Sequence, residues 1–264
     1  MPTKYGQNFL VNKSIAQKIV GVAHLDVDDF VLEIGPGKGI LTEELAKKAG
    51  KVLAIEIDKV LSNLLLNKFS NRKNVEIVNR DILEVSLKSY KLRAKSYKVI
   101  ANLPYYIISP IIRMFLESDC PPVEMILMVQ KEVAERICAR LGKMSILSVA
   151  VQYYAKPEIL FYVGRENFDP VPEVDSAIIK IVPYSSSPYL GRGIKGEGEN
   201  TKKFFRIVKA GFCAKRKTLA NNLANSFHLD KKEVEERLKA AGLSLAIRAQ
   251  ELSVEDWKKL AKLF

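Results

Sequence analysis

The segment Asn102-Leu103-Pro104-Tyr105 combines groups that can hold a flat amine. Proline fixes its own φ and keeps the preceding residue extended, so the Asn102 side-chain oxygen and a nearby backbone carbonyl can converge on one point. Two acceptors without a basic side chain suit the two N–H groups of a planar exocyclic amine. Tyr105 offers a ring on which a base can stack. Taken alone, the four residues also fit a capped turn whose aromatic residues belong to the core.

A second candidate site lies earlier, in Glu33-Ile34-Gly35-Pro36-Gly37-Lys38-Gly39, which follows a predicted strand and opens a helix. Glycines there let a ligand approach the backbone, and a helix N-terminus favours polar or anionic groups. The spacing lacks the third glycine of the G-x-G-x-x-G dinucleotide fingerprint and the G-K-[ST] ending of a P-loop. Taken alone, it also fits a tight turn that binds nothing.

Acidic residues stand at the ends of the next two predicted strands, Glu56 after the second and Asp81 after the third. At the carboxyl edge of a parallel sheet, Glu56 can accept bonds from ribose hydroxyls and Asp81 from an exocyclic amine. Glu56 alone is equally consistent with a surface charge. Together with the glycines, the two carboxylates fit a nucleoside without a pyrophosphate, which describes S-adenosylmethionine better than a dinucleotide.

These residues belong to a repeated alternation of apolar strands and helical segments. This pattern is typical of a parallel sheet covered on both faces. The predicted strands are residues 30–34, 52–55, 75–78, 97–101 and 125–129. Two further apolar runs, 159–163 and 177–182, could form a terminal antiparallel pair.

The last part of the chain has a different composition. Residues 184–200 are rich in glycine, serine and proline, which is typical of a linker. Predicted helices follow at residues 201–211, 217–227, 231–241 and 253–263, with Asp230 and Ser253 as N-caps of the last two. We therefore predict an α/β domain over residues 1–183, a linker over 184–200 and a small helical domain over 201–264.

The chain is basic, and its basic residues are concentrated near the C-terminus. It carries 42 Lys and Arg against 30 Asp and Glu, a net charge of +12. Residues 184–264 hold 17 of the basic residues against nine acidic ones, and residues 202–217 hold seven basic residues and no acidic one. A run of one sign predicts contact with a polyanion, although an isolated charge run usually marks a solvated helix face.

Several classes of protein are disfavoured by composition. With 264 residues, of which 48% are hydrophobic and 27% charged, the chain is not expected to be disordered. It lacks a run of about 18 uncharged apolar residues and the apolar core of a signal peptide, so we expect a cytoplasmic protein without a membrane span. Three widely spaced cysteines predict free thiols and no metal site.

An ordered set of segments resembles the motifs of the small-subunit rRNA adenine N6,N6-dimethyltransferases. The segments are Gly6-Gln7-Asn8-Phe9-Leu10, Glu33 to Gly39, Asn102-Leu103-Pro104-Tyr105-Tyr106 and Asn167 to Ala177. In addition, Lys215-Arg216-Lys217-Thr218-Leu219 is similar to the basic R-K-T-L helix start of that family. The resemblance runs over nearly the whole chain.

The resemblance implies a class I S-adenosylmethionine-dependent methyltransferase, with a Rossmann-like, mostly parallel sheet and a small C-terminal all-helical domain. The cofactor-binding positions it implies are Gln7, Asn8, Leu10, Gly35, Gly37, Glu56, Asp81 and Asn102. The catalytic positions are Asn102, Leu103, Pro104, Tyr105 and Phe168, where Tyr105 and Phe168 would sandwich an extruded adenine. The basic residues expected to bind RNA are Lys202, Lys203, Arg206, Lys209, Lys215, Arg216 and Lys217.

The implied reaction uses S-adenosylmethionine, which leaves as S-adenosylhomocysteine. The implied substrate is a pair of adjacent adenosines in a hairpin near the 3′ end of small-subunit rRNA, within a pre-assembled subunit, and we expect a monomeric enzyme. One alternative is the large-subunit rRNA adenine dimethyltransferase of the macrolide-resistance type. The others are a non-catalytic RNA-binding assembly or transcription factor on the same fold, and a protein glutamine methyltransferase.

Overall fold

The computed structural model of the chain describes residues 8–90, 92–93, 96–104, 107–184 and 197–264. The strands are β1 (Phe9–Leu10), β2 (Phe30–Ile34), β3 (Lys51–Glu56), β4 (Val75–Asn79), β5 (Lys98–Asn102), β6 (Met125–Gln130), β7 (Ala155–Val163), β8 (Phe168–Asp169) and β9 (Ser176–Pro183). The helices are α1 (Lys13–Val22), α2 (Ile40–Leu45), α3 (Lys59–Lys68), α4 (Ile108–Leu116), α5 (Lys131–Ile137), α6 (Ile146–Tyr154), α7 (Glu197–Gly211), α8 (Leu219–Phe227), α9 (Lys231–Ala240) and α10 (Val254–Leu263).

The chain forms two compact units. The first contains the described residues up to Ala134 and those from Ala155 to the linker. The second contains Glu135–Tyr154 and the C-terminal helices.

The first unit is built on a seven-stranded sheet in the order β4-β3-β2-β5-β6-β9-β7. The five strands from β4 to β6 are parallel, whereas β9 runs antiparallel to both of its neighbours. Buried aliphatic residues fill the central strands, as expected where both faces are covered. The predicted α/β fold class is confirmed, and so is the terminal antiparallel pair, formed by β7 and β9.

The order of the strands reverses next to β2. The chain runs from β2 outward through β3 to β4, and then returns to place β5 on the other side of β2. In an open α/β sheet, such a reversal leaves a crevice outside the carboxyl ends of the strands, where ligands bind. The topology therefore locates a candidate site before any side chain is considered.

A separate two-stranded ribbon joins β1 to β8 in antiparallel pairing, with Phe9 opposite Asp169 and Leu10 opposite Phe168. The backbone N–H of Val11 extends the ribbon by donating to the Asn167 carbonyl oxygen at 2.9 Å. The ribbon was not predicted from the sequence. It fixes the beginning of the described chain against a segment more than 150 residues away.

The second unit has its own core, made by α6 and the four C-terminal helices. Val149 of α6 is buried in the same cluster as Phe204, Leu223 and Trp257. Residues 1–183 were predicted to form one domain, but Glu135–Tyr154 belong to the second unit with the C-terminal helices. The apolar residues of α6 are buried here because those helices supply the matching apolar surface.

The helix boundaries of the second unit agree with the expected capping residues. Asp230 caps α9 by accepting from the Lys232 N–H, and Ser253 caps α10 by accepting from the Asp256 N–H. α7 begins at Glu197, inside the stretch predicted to be linker. No helix in the described ranges is long and apolar enough to cross a membrane.

Candidate active site

A cleft opens at the carboxyl ends of β2 and β5, where the strand order reverses. Ile34 pairs with both Ile55 and Ala101, so the residues that follow these three strands stand at the same level of the sheet. The cleft contains about 680 Å³ of space that opens to solvent. We call residues 35–39, between β2 and α2, the glycine turn. The cleft is lined by this turn and by residues of β1, β2, α2, β5 and β8 or next to them, namely Asn8, Phe9, Leu10, Glu33, Gly35, Pro36, Gly37, Lys38, Ile40, Leu41, Asn102, Leu103, Pro104 and Phe168.

The glycine turn forms one wall of the cleft, and two of its residues have backbone conformations that favour glycine. Gly35 has φ +65°, and its N–H donates to the Ile55 carbonyl oxygen at 3.0 Å. Gly37 has φ +58°, and a Cβ there would lie 2.9 Å from the Phe9 ring. The turn therefore presents bare backbone to the cleft.

Glu56, at the end of β3, is fully buried beside this turn. Its two carboxylate oxygens accept from the Gly37 N–H at 3.1 Å and from the Asp58 N–H at 2.9 Å. Burial raises the pKa of the Glu56 carboxyl, and the two backbone bonds oppose that shift. Glu56 thus stabilises the turn, and it stands beside the cleft rather than among the residues that line it.

Asp81 occupies the corresponding place after β4. It is half-buried and begins a short 3-10 helix by accepting from the Leu83 N–H at 2.9 Å. Like Glu56, it is not among the residues that line the cleft. The two carboxylates predicted to hold a ribose and an adenine therefore follow adjacent strands, β3 and β4, on the same side of β2.

Glu33 is a cleft residue to which the sequence analysis gave no role of its own, although it begins the glycine motif. Its side chain is 1% exposed, and Oε2 has no hydrogen-bond partner in the described part of the chain. Burial raises the pKa of the Glu33 carboxyl from 4.5 to about 8, and the nearby Glu56 adds to the shift while Thr42 opposes it. The free protein therefore holds this carboxyl mostly protonated near neutral pH, and a cationic group of a ligand beside it would favour the ionised form.

Asn102 ends β5 at the cleft, on the opposite side of β2 from Glu56. Its Nδ2 donates to the Asn8 backbone oxygen at 3.4 Å. The Leu103 N–H donates to the Met128 oxygen at 3.2 Å, and the Pro104 oxygen accepts from the Ile107 N–H at 3.2 Å. Among the described residues, no hydrogen bond is seen to reach the Leu103 oxygen or Asn102 Oδ1.

The β1–β8 ribbon forms the wall facing the glycine turn. It carries Asn8 and Leu10, two predicted cofactor positions, together with Phe168, which was predicted to stack on the target base. Phe168 is 3% exposed and packs in the same core cluster as Leu10. Asn12 secures the ribbon, because its Nδ2 donates to Asn167 Oδ1 at 2.7 Å.

Two predicted site residues, Gln7 and Tyr105, lie outside the described residues. The others fall into two groups. The cleft is lined by Asn8, Leu10, Gly35, Gly37, Asn102, Leu103, Pro104 and Phe168, whereas Glu56 and Asp81 are not among its lining residues. Besides Glu33, the sequence analysis assigned no role to Phe9 and Lys38, although both lie within the quoted motifs.

The seven residues predicted to bind RNA all lie in the second unit. Lys202, Lys203, Arg206, Lys209, Lys215, Arg216 and Lys217 are all exposed. The first four lie on α7, whose Phe204, Ile207 and Val208 turn into the core, and the last three lie in the connection to α8. None of the seven forms a salt bridge with another described residue. We call these seven residues the basic surface.

A buried asparagine holds the connection that carries part of the basic surface. Asn222 of α8 is 3% exposed, and its Nδ2 donates to the Gly211 oxygen at 2.6 Å and to the Ala214 oxygen at 3.0 Å. Thr218 caps α8 by accepting from the Asn221 N–H. The connection from α7 to α8 is therefore fixed at both ends.

The donor set of the cleft fits S-adenosylmethionine. Gly35 and Gly37 expose backbone at the cleft, and Glu33 Oε2, which has no hydrogen-bond partner among the described residues, can accept from a polar or cationic group of that ligand. Within the described ranges, no group of three or more His, Cys, Asp and Glu residues could hold a metal ion. None of the three cysteines forms a disulfide bond.

Comparison with known proteins agrees with this geometry. The model of the family described as ribosomal RNA adenine dimethylase matches residues 1–264. The chain is 44% identical over 263 residues to a protein of Fusobacterium nucleatum named Ribosomal RNA small subunit methyltransferase A, covering 99% of this chain and 96% of the relative. It is 42% identical over 255 residues to a protein of the same name from Dehalococcoides mccartyi, covering 97% and 85%.

Solved structures show the same fold at lower sequence identity. A dimethyladenosine transferase from Plasmodium falciparum is 28% identical, with a TM-score of 0.78 over 96% of this chain and 95% of that chain. The 23S rRNA methyltransferase ErmE is also 28% identical, with a TM-score of 0.73 over 97% and 99%. With a family model that matches every residue, this chain belongs to the ribosomal RNA adenine dimethylase family, whose members are S-adenosylmethionine-dependent methyltransferases.

Proposed function

We propose that the protein dimethylates the N6 atoms of two adjacent adenosines in the 3′-terminal hairpin of small-subunit rRNA, late in subunit biogenesis. Sequence identity to named relatives is the observation that supports the small-subunit rRNA as the substrate. The chain is 42–44% identical to relatives named for the small subunit but 28% identical to the 23S rRNA methyltransferase, with nearly full coverage in each case. Fold similarity alone does not separate the two substrates.

The residues around the glycine turn bind the cofactor in this proposal. Glu56 accepts bonds from the ribose hydroxyls, Asp81 accepts from the adenine amine, and Gly35 and Gly37 let the ligand approach the backbone. Gln7, Asn8 and Leu10 complete the site from the N-terminal side. When bound, S-adenosylmethionine supplies an electrophilic methyl group on a sulfonium and leaves as S-adenosylhomocysteine.

Asn102 and Leu103 activate the target nitrogen without acting as bases. The lone pair of an adenine N6 atom is delocalised into the ring, which makes it a poor nucleophile. When Asn102 Oδ1 and the Leu103 carbonyl accept its N–H bonds, they favour a pyramidal nitrogen and stabilise the positive charge that develops there. Pro104 holds the turn that aligns these two oxygens, so catalysis rests on alignment and preorganised electrostatics.

Phe168 and Tyr105 hold the adenine, which must leave the RNA stack to reach the cleft. The buried position of Phe168 on the ribbon, beside the same cleft as Asn102, supports this role. Dimethylation requires the monomethylated base to fit again, with one N–H left to donate. The cleft must therefore tolerate a methyl group next to the two acceptors.

The basic surface of the second unit binds rRNA phosphates without reading the bases. Its seven exposed side chains, which form no salt bridge with described residues, support this role. The substrate is rRNA folded within a pre-assembled small subunit, and the enzyme acts in the cytoplasm as a monomer. Base specificity comes from the cleft alone.

Methylation of purified ribosomal subunits tests this proposal. The protein is incubated with S-adenosylmethionine and either small or large subunits from a strain that lacks both modifications. Primer extension then locates stops on each rRNA. We expect paired stops in the 3′-terminal hairpin of the small-subunit rRNA. A stop on the large-subunit rRNA alone would assign the chain to the macrolide-resistance type, and binding without any stop would identify a non-catalytic assembly factor.

A further inference from the structure

Lys38 belongs to the glycine turn, and its exposed side chain reaches across to the ribbon at the cleft. It lines the same cleft as Asn102 and Phe168. Its Nζ lies 3.2 Å from Asp169 Oδ2 and 4.9 Å from the centre of the Phe9 ring. Asp169 directly follows Phe168, so the ammonium group stands next to the residue that holds the base rather than deep in the cofactor cradle.

The backbone and side chain of Lys38 are held with different strength. Its carbonyl oxygen accepts from Lys68 Nζ at 3.2 Å, which fixes the turn. Its side chain is 50% exposed, and the side chain of its partner Asp169 is 66% exposed. An ion pair between such exposed groups contributes little to stability. Exchanging Asp169 for another anion therefore costs little and leaves the turn in place.

The reaction places such an anion at the mouth of the cleft. When an adenine enters a pocket, its sugar and flanking phosphates stay outside, because the backbone of the RNA continues on both sides. A charge-assisted bond from an ammonium to a phosphate is stronger than a neutral one. A cation beside Phe168 is therefore in position to meet a phosphate of the nucleotide whose base stacks there.

We propose that Lys38 is a positioning residue that exchanges Asp169 for a phosphate of the target nucleotide when the adenine enters the cleft. This inference rests on the proposed function. It gives Asp169 a role in the free enzyme, where it holds the ammonium on the ribbon side of the mouth. A purely structural link between the turn and the ribbon would instead make both residues equally necessary.

The proposed exchange predicts opposite effects on RNA binding for replacement of Lys38 and replacement of Asp169. If Lys38 binds phosphate, Lys38→Gln weakens binding of a 3′-terminal hairpin RNA about fivefold to twentyfold, whereas Asp169→Asn strengthens it. Removing the negative charge of Asp169 also strengthens RNA binding by itself, even if Lys38 never exchanges partners. The double variant separates these effects, because Asp169→Asn gains less in the Lys38→Gln background only if the two side chains exchange partners.

The chain offers a matched control for the loss of one exposed ion pair. Lys51 and Glu76 form a pair at 2.8 Å with side chains 48% and 45% exposed, and Lys51 begins β3 at the end of the strand opposite Glu56. Lys51→Gln and Glu76→Gln change the net charge as the test variants do. We expect them to leave RNA affinity within about twofold of wild type.

The experiment measures RNA affinity across a salt series in the presence of S-adenosylhomocysteine, together with kcat, KM and cofactor affinity. Lys38→Gln should raise KM for RNA, spare kcat and cofactor affinity, and reduce the slope of log K against log salt by about 0.7. Lys38→Arg should restore most of the binding. Equal RNA affinity for wild type and Lys38→Gln, or additive effects in the double variant, would overturn the inference.

Two other outcomes have separate meanings. If Lys38→Gln loses affinity for S-adenosylhomocysteine but not for RNA, Lys38 binds the carboxylate of the cofactor and the inference is wrong. If wild-type protein fails to methylate small subunits, the proposed substrate is wrong. The phosphate contact is still decided by the RNA affinities of the variants.

Discussion

Asn102 Nδ2 donates to the backbone oxygen of Asn8, 3.4 Å away. A carbonyl oxygen only accepts, so this bond, although long, determines which end of the Asn102 amide faces the ribbon. Oδ1 is left as the end that can accept from a target amine. The residue proposed to bind the substrate is thus oriented by the segment proposed to bind the cofactor.

Replacement of Asn102 should separate chemistry from RNA binding. Asn102→Ala removes one preorganised acceptor, so we expect kcat to fall by at least about 100-fold. RNA affinity should change less than about twofold, since phosphate contacts dominate it. Single-turnover methylation and RNA binding measured on one preparation check this. Robust dimethylation by Asn102→Ala would refute its role at the amine.

The aspartate variant tests the orientation of the amide. Asn102→Asp keeps an oxygen toward the cleft but faces the Asn8 carbonyl with a second acceptor. We therefore expect weaker cofactor binding as well as slower methyl transfer, because the second carboxylate oxygen repels the Asn8 carbonyl oxygen and displaces the segment that carries it. If Asn102→Asp binds cofactor as wild type does, the bond to Asn8 contributes nothing to the site.

Replacement of Phe168 should slow transfer less than replacement of Asn102. Stacking contributes about 1–3 kcal/mol, so Phe168→Ala is expected to reduce kcat/KM about fivefold to 150-fold. Phe168→Leu is the matched variant, because it keeps an apolar side chain against Leu10 but loses the aromatic face. Comparable losses in both variants would support stacking, and full activity of the leucine variant would contradict it.

Glu56→Ala should weaken cofactor binding. It removes charge-assisted bonds worth about 1.5–3 kcal/mol, which corresponds to a loss of roughly 10- to 150-fold in affinity. It also leaves the Gly37 N–H without its carboxylate partner. Calorimetry with S-adenosylhomocysteine measures the change, with thermal unfolding as the check on folding. Unchanged affinity in a folded variant would remove Glu56 from the cofactor site.

Cofactor affinity should depend on pH through Glu33. Its pKa is raised to about 8 by burial, so the folded protein holds a proton that the unfolded chain releases near pH 4.5. The stability from this group is therefore full below about pH 4.5 and is lost as the pH rises through about 8. A cationic ligand beside Glu33 favours the ionised form. Cofactor binding should thus release a proton and strengthen as the pH rises from 6 to 8.

Calorimetry in two buffers of different ionisation enthalpy measures that proton release. Glu33→Gln should abolish it, weaken cofactor binding and raise Tm more at pH 9 than at pH 6. Gln removes the buried charge but keeps the shape. Proton release of the same size in Glu33→Gln would show that another group titrates.

The basic surface should control subunit binding and its salt dependence. If about four of its seven side chains contact phosphates, they contribute about −3 to −4 to the slope of log K against log salt. Reversing Lys215, Arg216 and Lys217 to Glu should weaken binding and flatten that slope while sparing cofactor affinity. The same reversal at Lys232, Lys239 and Lys259, three exposed residues of the second unit for which no salt bridge with a described residue is seen, is the matched control. Equal slopes for wild type and the Lys215, Arg216 and Lys217 triple variant would show that these side chains are exposed to solvent without contacting phosphates.

The sheet could be predicted from sequence because its strands are continuous apolar runs. β2 was predicted over the residues that form it, and the predicted limits of β3 and β5 differ from the observed ones by one residue. Such strands are buried on both faces, and burial requires the apolar pattern wherever the rest of the chain goes. Their order in the sheet then placed the glycine turn, Glu56 and Asn102 at one edge.

Other features depend on tertiary contacts that no local pattern reveals. The β1–β8 ribbon has two residues in each strand, too few to show a periodicity. α6 is apolar enough for either core, and its membership of the second unit depends on which helices cover it. Glu33 lay inside a quoted motif, but burial of its carboxylate depends on the elements packed around it.

Mass spectrometry of the 3′-terminal fragment of small-subunit rRNA tests the central claim most directly. Small subunits from a strain without these modifications are incubated with the protein and S-adenosylmethionine, and the fragment is sequenced by tandem spectrometry. The account predicts two adjacent N6,N6-dimethyladenosines with wild-type protein and an unmodified fragment with Asn102→Ala. An unmodified fragment with wild-type protein that binds the cofactor, or methyl groups on a base other than adenine, would contradict it.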